Sequence, residues 1–211
     1  MAFREFRHLD LLNQEFSGDF TTYFSILQVI ANGKTKRSEI DSVLHKDMGT
    51  YLQNLESRYE LINRMKPLLA KKNGKVTAYE IHDNFLRFWF RFIYPYQSLI
   101  ERNLFSLLRS NIENNYEGFT GRTLERYFLD KFMETEQFTQ IGNWWDRKGE
   151  NKIDIVAENE LDQQALFIEV KRNIKNYNPE LLNSKIAAFT RATGEFKNYI
   201  VTQKGVSLED I

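Results

Sequence analysis

Two stretches decide how this chain is read: Lys152-Ile-Asp-Ile-Val-Ala157 and Ala165-Leu-Phe-Ile-Glu-Val-Lys171. Both are rich in apolar and β-branched residues, which suits strands. Each holds a carboxylate in apolar company, Asp154 between two isoleucines and Glu169 between Ile168 and Val170. A carboxylate so placed is costly unless it is paired or binds a cation. Residues two apart on a strand share a face, so Glu169 and Lys171 project together. If the two strands pair as a hairpin, Asp154 reaches the same face.

Working outward, Phe138–Trp145 reads as a strand before this pair and Tyr199–Thr202 as one after it. Gly118–Glu134 reads as a helix carrying Glu125. Pro179–Thr193 reads as an amphipathic helix with Leu181, Leu182, Ile186, Ala187 and Phe189. The order α-β-β-β-α-β predicts a small mixed sheet flanked by helices, hence an α/β (α+β) fold class.

The N-terminal part has a different rhythm. Phe20, Phe24, Ile26, Leu27 and Ile30 recur at helical spacing and stop at Asn32-Gly33, a helix-ending signal. A second short helix is expected over Arg37–His45 and a third from Thr50. Met65–Ala70 and Val76–Ile81 read as short strands joined by Lys71-Lys72-Asn-Gly-Lys75, where Asn-Gly is a hairpin-turn signal. Three helices and a hairpin are the order of a winged helix-turn-helix. Asp83 is expected to cap the helix Asn84–Tyr94, which is apolar nearly all round and ends at Pro95. Helical patterns continue over Ser98–Asn115. The expected domains are a winged helix over 1–82, a helical connector over 83–117 and the sheet domain over 118–211.

The 211 residues suffice for one large domain or two small ones. Basic and acidic residues balance at 29 each, so any nucleic-acid surface must be a local patch. One such patch stands between Lys34 and Lys75, where ten basic residues face five acidic ones, a local net of +5. Within it Lys36, Arg37, Lys71 and Lys72 are placed to meet DNA phosphates. A recognition helix starting at Thr50, itself a DNA-binding candidate, places Gln53 and Asn54 to reach base edges. Winged helices also serve as protein–protein modules, so this half alone does not choose between DNA and protein partners. Cysteine is absent, which excludes disulfides, thiolate zinc sites and a cysteine nucleophile. No signal-like or membrane-spanning run is visible, and Phe85–Tyr96 is too short to span a bilayer. A soluble, cytoplasmic protein is expected.

The carboxylates suggest a chemistry. Asp154 and Glu169 are suited to hold Mg²⁺ (or Mn²⁺) through oxygen ligands. Such an ion activates water and stabilises charge on a phosphate under attack. Lys171 is suited to orient the nucleophile or neutralise developing charge, and Glu125 to add a carboxylate. A short D…ExK pattern also arises by chance in many proteins.

At these residues the chain resembles a known family. Residues 118–203 look like a PD-(D/E)xK nuclease-superfamily core, with Ile153-Asp154 in the PD position and Glu169-Val-Lys171 as ExK. Isoleucine replaces the proline, at the position that varies most in such folds. The stretches Tyr23-Phe-Ser-Ile-Leu27, Asp83-Asn-Phe-Leu-Arg-Phe-Trp-Phe-Arg-Phe-Ile-Tyr-Pro95 and Gly142-Asn-Trp-Trp-Asp-Arg147 are similar to the C-terminal region of prokaryotic AAA-type (archaeal-type, DEXX-box) ATPases. That resemblance implies a winged helix, a restriction-endonuclease-like domain behind it and an ATPase module upstream. The chain is then a piece of a longer protein or a stand-alone relative. A non-catalytic DNA-binding or protein-interaction module working with an ATPase is the alternative. A transcription regulator, reading sequence through Gln53 and Asn54 and working as a dimer, is a weaker third.

Other features read as ordinary. Gly33-Lys-Thr35 imitates a phosphate loop, but Gln28 stands where its first glycine belongs and a helix precedes it, so the chain is not expected to be an ATPase itself. His8, His45 and His82 show no metal-ligand spacing. Trp144, Trp145 and Phe138 are expected to include core positions. Asp146 with Arg147 reads as a surface pair, and Lys185, on the helix after the ExK strand, as solvated, with a place facing the same cleft as the alternative.

Overall fold

A computed structural model describes residues 19–70 and 76–211. They form two compact units, one from the chain up to Met65 with Ala78–Ile112, the other from Lys66–Thr77 with Glu113–Ile211. The architecture is mixed α and β, and among the described residues no helix is long and apolar enough to cross a membrane.

The first unit begins with α1 (Phe20–Ala31), α2 (Arg37–Leu44) and α3 (Gly49–Ser57). A hairpin of β1 (Ile62–Met65) and β2 (Ala78–Ile81) follows, then α4 (Asn84–Phe92) and the short α5 (Gln97–Glu101). Helix α1 buries Tyr23, Phe24, Ile26, Leu27 and Ile30, then ends at Asn32 before Gly33, whose φ of 91° suits only glycine comfortably. Helix α4 starts where Asp83 accepts the Leu86 N–H at 2.7 Å. The core joins α1, Ile40, Leu52, Leu55, Ile62, Ile81, Trp89 and Phe90. Phe24 meets Phe90 and Tyr94 edge-on, at 5.3 and 5.4 Å between centroids. Helix α4 is less uniformly buried than its sequence suggests, because Phe85 is 46% exposed.

Two expectations need correction. The strand read at Met65–Ala70 lies earlier, at Ile62–Met65. Pro67 has no N–H for a ladder, and the Leu68 N–H instead donates to the Asn143 carbonyl at 2.7 Å. The Lys71–Lys75 turn lies outside the described residues. The patterns over 98–115 and 118–134 are not two helices. A break at Leu104 follows Asn103, which adopts a φ of 56°, and α6 (Phe105–Met133) then runs unbroken for 29 residues. Gly118 and Gly121 stay within it, since glycine in a helix costs only about 1 kcal/mol.

The second unit is built on a sheet of β3 (Gln140–Trp145), β4 (Lys152–Asn159), β5 (Gln164–Val170) and β6 (Ile200–Val206), in that spatial order. The first three form an antiparallel meander, and β6 lies parallel to β5 after the crossover α7 (Pro179–Thr193). Helix α7 has sharp ends because Asn178 caps the Leu181 N–H, Pro179 opens the first turn, and Gly194 closes it at a φ of 79°. One core packs Trp144, Ile153, Val156 and Phe167 with Leu182 and Phe189 of α7. Another packs Ile155, Ile168, Val170 and Val206 with Leu124 and Phe128 of α6. Covered on both faces, β4 and β5 need near-continuous apolar runs. Any polar side chain in them therefore needs a reason.

Candidate active site

The reason begins with a bulge. Gly142 pairs with Val156 and Trp144 with Ile153, so two steps on β3 span three on β4. Asn143 thus faces both Asp154 and Ile155, and its Nδ2 donates to the Asp154 carbonyl at 2.5 Å. A bulge breaks the strict alternation of faces and re-aims the side chain it carries. Ile153 and Val156 accordingly share the core beneath α7. Across from Asp154, the β4–β5 ladder ends at Ile155 and Ile168. Beyond that pair the Val170 N–H donates to Asp154 Oδ2 at 3.0 Å.

Asp154 and Glu169 are only 6% and 4% exposed. Lysines answer both. Lys152 Nζ lies 3.1 Å from Asp154 Oδ1 and 2.5 Å from Glu125 Oε2 on α6. Lys171 Nζ lies 2.7 Å from Glu169 Oε1. Lys185, on α7, donates to both oxygens of Glu169 at 2.9 and 3.0 Å. Three carboxylates from α6, β4 and β5 are thus neutralised by three lysines from β4, the end of β5 and α7. Burial pushes the Glu125 carboxyl above its ordinary range, and the Asp154 charge adds to this, with Lys152 opposing both. Burial works against the Lys152 charge, but the charges of Glu125 and Asp154 outweigh it and raise the ammonium pKa.

Tyr177 rests beside this group. Gly205 pairs with Glu169 across β5 and β6, and a Cβ at Gly205 would meet the Tyr177 ring at 2.5 Å. Burial and then the Glu169 charge raise the Tyr177 hydroxyl above its ordinary pKa. Beyond Lys171, the Arg172 guanidinium bonds the Thr120 hydroxyl.

Among the described residues no group of three or more His, Asp or Glu side chains converges to hold one metal ion. Two carboxylates, Glu125 and Asp154, do converge on a single positive charge, that of Lys152. Two carboxylates are fewer protein ligands than a full cage supplies, so an ion held here would have to keep several waters, as Mg²⁺ does.

Of the residues read from the sequence, Glu125 and Asp154 meet through Lys152, and Glu169 and Lys171 meet directly. The candidates in the first unit divide. Thr50 and Gln53 are exposed on α3, one turn apart. Asn54 donates to the Tyr23 hydroxyl at 2.9 Å. Arg37 is engaged with both oxygens of Asp47 at 2.8 Å, and Lys36 leads into α2 as its N-cap. Lys71 and Lys72 lie outside the described residues.

Sequence reasoning passed over Lys152, although it stands two residues before Asp154 on the same strand. Lys185 is not solvated. Its side chain is 19% exposed, because α7 covers the face of β5 where buried Glu169 needs a countercharge. Asp146 does not pair with Arg147. It accepts the N–H groups of Gly149, Glu150 and Asn151 and so closes the β3–β4 turn. Trp144 is a core residue, set edge-on to Phe189 at 5.3 Å.

Residues 89–181 match a family described as archaeal and bacterial proteins of unknown function. The chain is similar to an uncharacterised protein of Methanocaldococcus jannaschii, with 37% identity over 169 residues. That stretch is 76% of this chain and 38% of the relative, so the chain spans well under half of the relative's length. No solved structure matches it.

Proposed function

We propose that the second unit is a Mg²⁺-dependent nuclease of the PD-(D/E)xK type, that the first unit is a DNA-binding winged helix, and that the chain works as the C-terminal part of an ATPase. The observation that carries this reading is the buried Asp154 and Glu169 on adjacent strands, with Lys171 two residues beyond Glu169 and bonded to it. A relative that extends far beyond the shared stretch leaves room for an ATPase module. The ion would be held by Asp154 and Glu169, with Glu125 in support. When bound, it supplies Lewis-acid stabilisation of the phosphate and a more acidic water. Lys171 places an ammonium at the end of β5, where it can meet negative charge developing on a phosphodiester. The hydrogen bond from Val170 N–H holds the Asp154 carboxylate in one orientation. Thr50 and Gln53 offer side chains to a DNA groove from α3.

DNA cleavage assays with Mg²⁺ test this. Asp154→Ala and Lys171→Ala should each abolish cleavage with the fold intact, and activity that survives both changes refutes it.

A second reading is a non-catalytic DNA-binding or protein-interaction module that works with an ATPase. The closed lysine pairing of Glu125, Asp154 and Glu169 favours it. Fluorescence anisotropy with duplex DNA that shows salt-sensitive binding and no cleavage would support it.

A further inference from the structure

The Lys152 ammonium has no part in the chemistry above, yet it occupies the centre of the acidic group. Its Nζ is shared by Glu125 Oε2 and Asp154 Oδ1, oxygens from two different elements. The two carboxylates are largely shielded, with side chains 22% and 8% exposed, whereas the Lys152 side chain is 44% exposed. Its stem thus runs along the surface while its head reaches inward, an arrangement that long lysine side chains adopt readily. Lys185, the cation on Glu169, is less exposed, at 19%.

We propose that Lys152 is a displaceable internal cation: it holds Glu125 and Asp154 together in the metal-free protein and competes with a divalent ion for the same oxygens. The inference rests on the metal reading above, in which Asp154 is a ligand and Glu125 supports it. Two carboxylates that face each other repel unless a positive charge lies between them. A lysine supplies one charge and stays tethered. A divalent ion supplies two, and it frees the lysine to regain rotamer entropy in water. The site therefore binds metal more weakly than its carboxylates alone would, because only the lysine-out population is competent. The cation stands on the site's own strand, two residues before Asp154.

Calorimetric titration of Mn²⁺ into the full chain tests this. With about a tenth of the wild type in the lysine-out state, Lys152→Met and Lys152→Gln should bind Mn²⁺ about tenfold tighter than wild type, while Lys152→Arg, which keeps the charge, should bind no tighter. If the neutral variants bind no tighter while Asp154→Asn abolishes binding, the inference falls and the metal reading stands. If no form binds Mn²⁺, both fall. Should the neutral variants not fold, wild type alone decides, through acetylation of lysines mapped by mass spectrometry. Mn²⁺ should increase labelling of Lys152 relative to the exposed Lys197, and unchanged labelling overturns the inference.

Discussion

The Lys185 ammonium lies 2.9 and 3.0 Å from the two carboxylate oxygens of Glu169, bridging α7 to the strand it covers. Glu169 is 4% exposed, so the pair is a condition for keeping that charge within the fold. Lys185→Met should therefore cost about 2 kcal/mol in urea denaturation, with Lys171 left to compensate in part. The double change Glu169→Gln with Lys185→Met should cost less than the sum of the single ones. Additive losses would show that the two side chains are energetically independent.

Gly205 is constrained by a neighbour's ring. A Cβ there would stand 2.5 Å from Tyr177 Cγ, too close for any contact. Gly205→Ala should lower stability by about 1–3 kcal/mol through overpacking. Adding Tyr177→Ala should restore part of the loss in thermal melts. No loss in the single variant would mean that the ring moves aside freely.

Asp146 carries a pH signature. Burial pushes its carboxyl up, but the Asn151 side chain and the N–H groups of Gly149, Glu150 and Asn151 outweigh that and hold it below its ordinary value. A native pKa below the unfolded one contributes stability above the unfolded value, about 3.9, and loses it as pH falls through the native pKa. Asp146→Ala should thus be about 1–2 kcal/mol less stable than wild type at pH 7. The gap should close at strongly acid pH. A gap that stays constant down to acid pH would assign the loss to packing instead.

The third helix separates recognition from support. Gln53→Ala should weaken duplex DNA binding by about 1 kcal/mol in anisotropy titrations and leave the melting temperature unchanged. Asn54→Ala should do the reverse, costing about 1 kcal/mol of stability through the lost bond to Tyr23. Equal effects of the two on DNA binding would contradict this division.

What the sequence made legible follows from how local each signal is. The α7 boundaries are visible in Pro179 and Gly194, because both act on their own backbone. The strands around Asp154 and Glu169 announce themselves through their apolar runs. The pairing of Glu169 with Lys171 follows from strand periodicity alone. Where distant parts of the chain decide, the signal fades. The slip of β1 depends on Leu68 finding Asn143, and the bulge at Asp154 depends on register with β3. Lys185 becomes a partner of Glu169 only once α7 folds back over β5, which no period in the sequence records. Lys152 meets Glu125 across 27 residues.

The measurement that tests the central claim most directly is the rate of DNA phosphodiester cleavage as Mg²⁺ is raised, wild type against Glu169→Gln, over substrates with ends, single strands and junctions. Metal-dependent cleavage by wild type that falls by orders of magnitude in Glu169→Gln is the predicted result. Cleavage that is indifferent to both the ion and Glu169 would contradict the account.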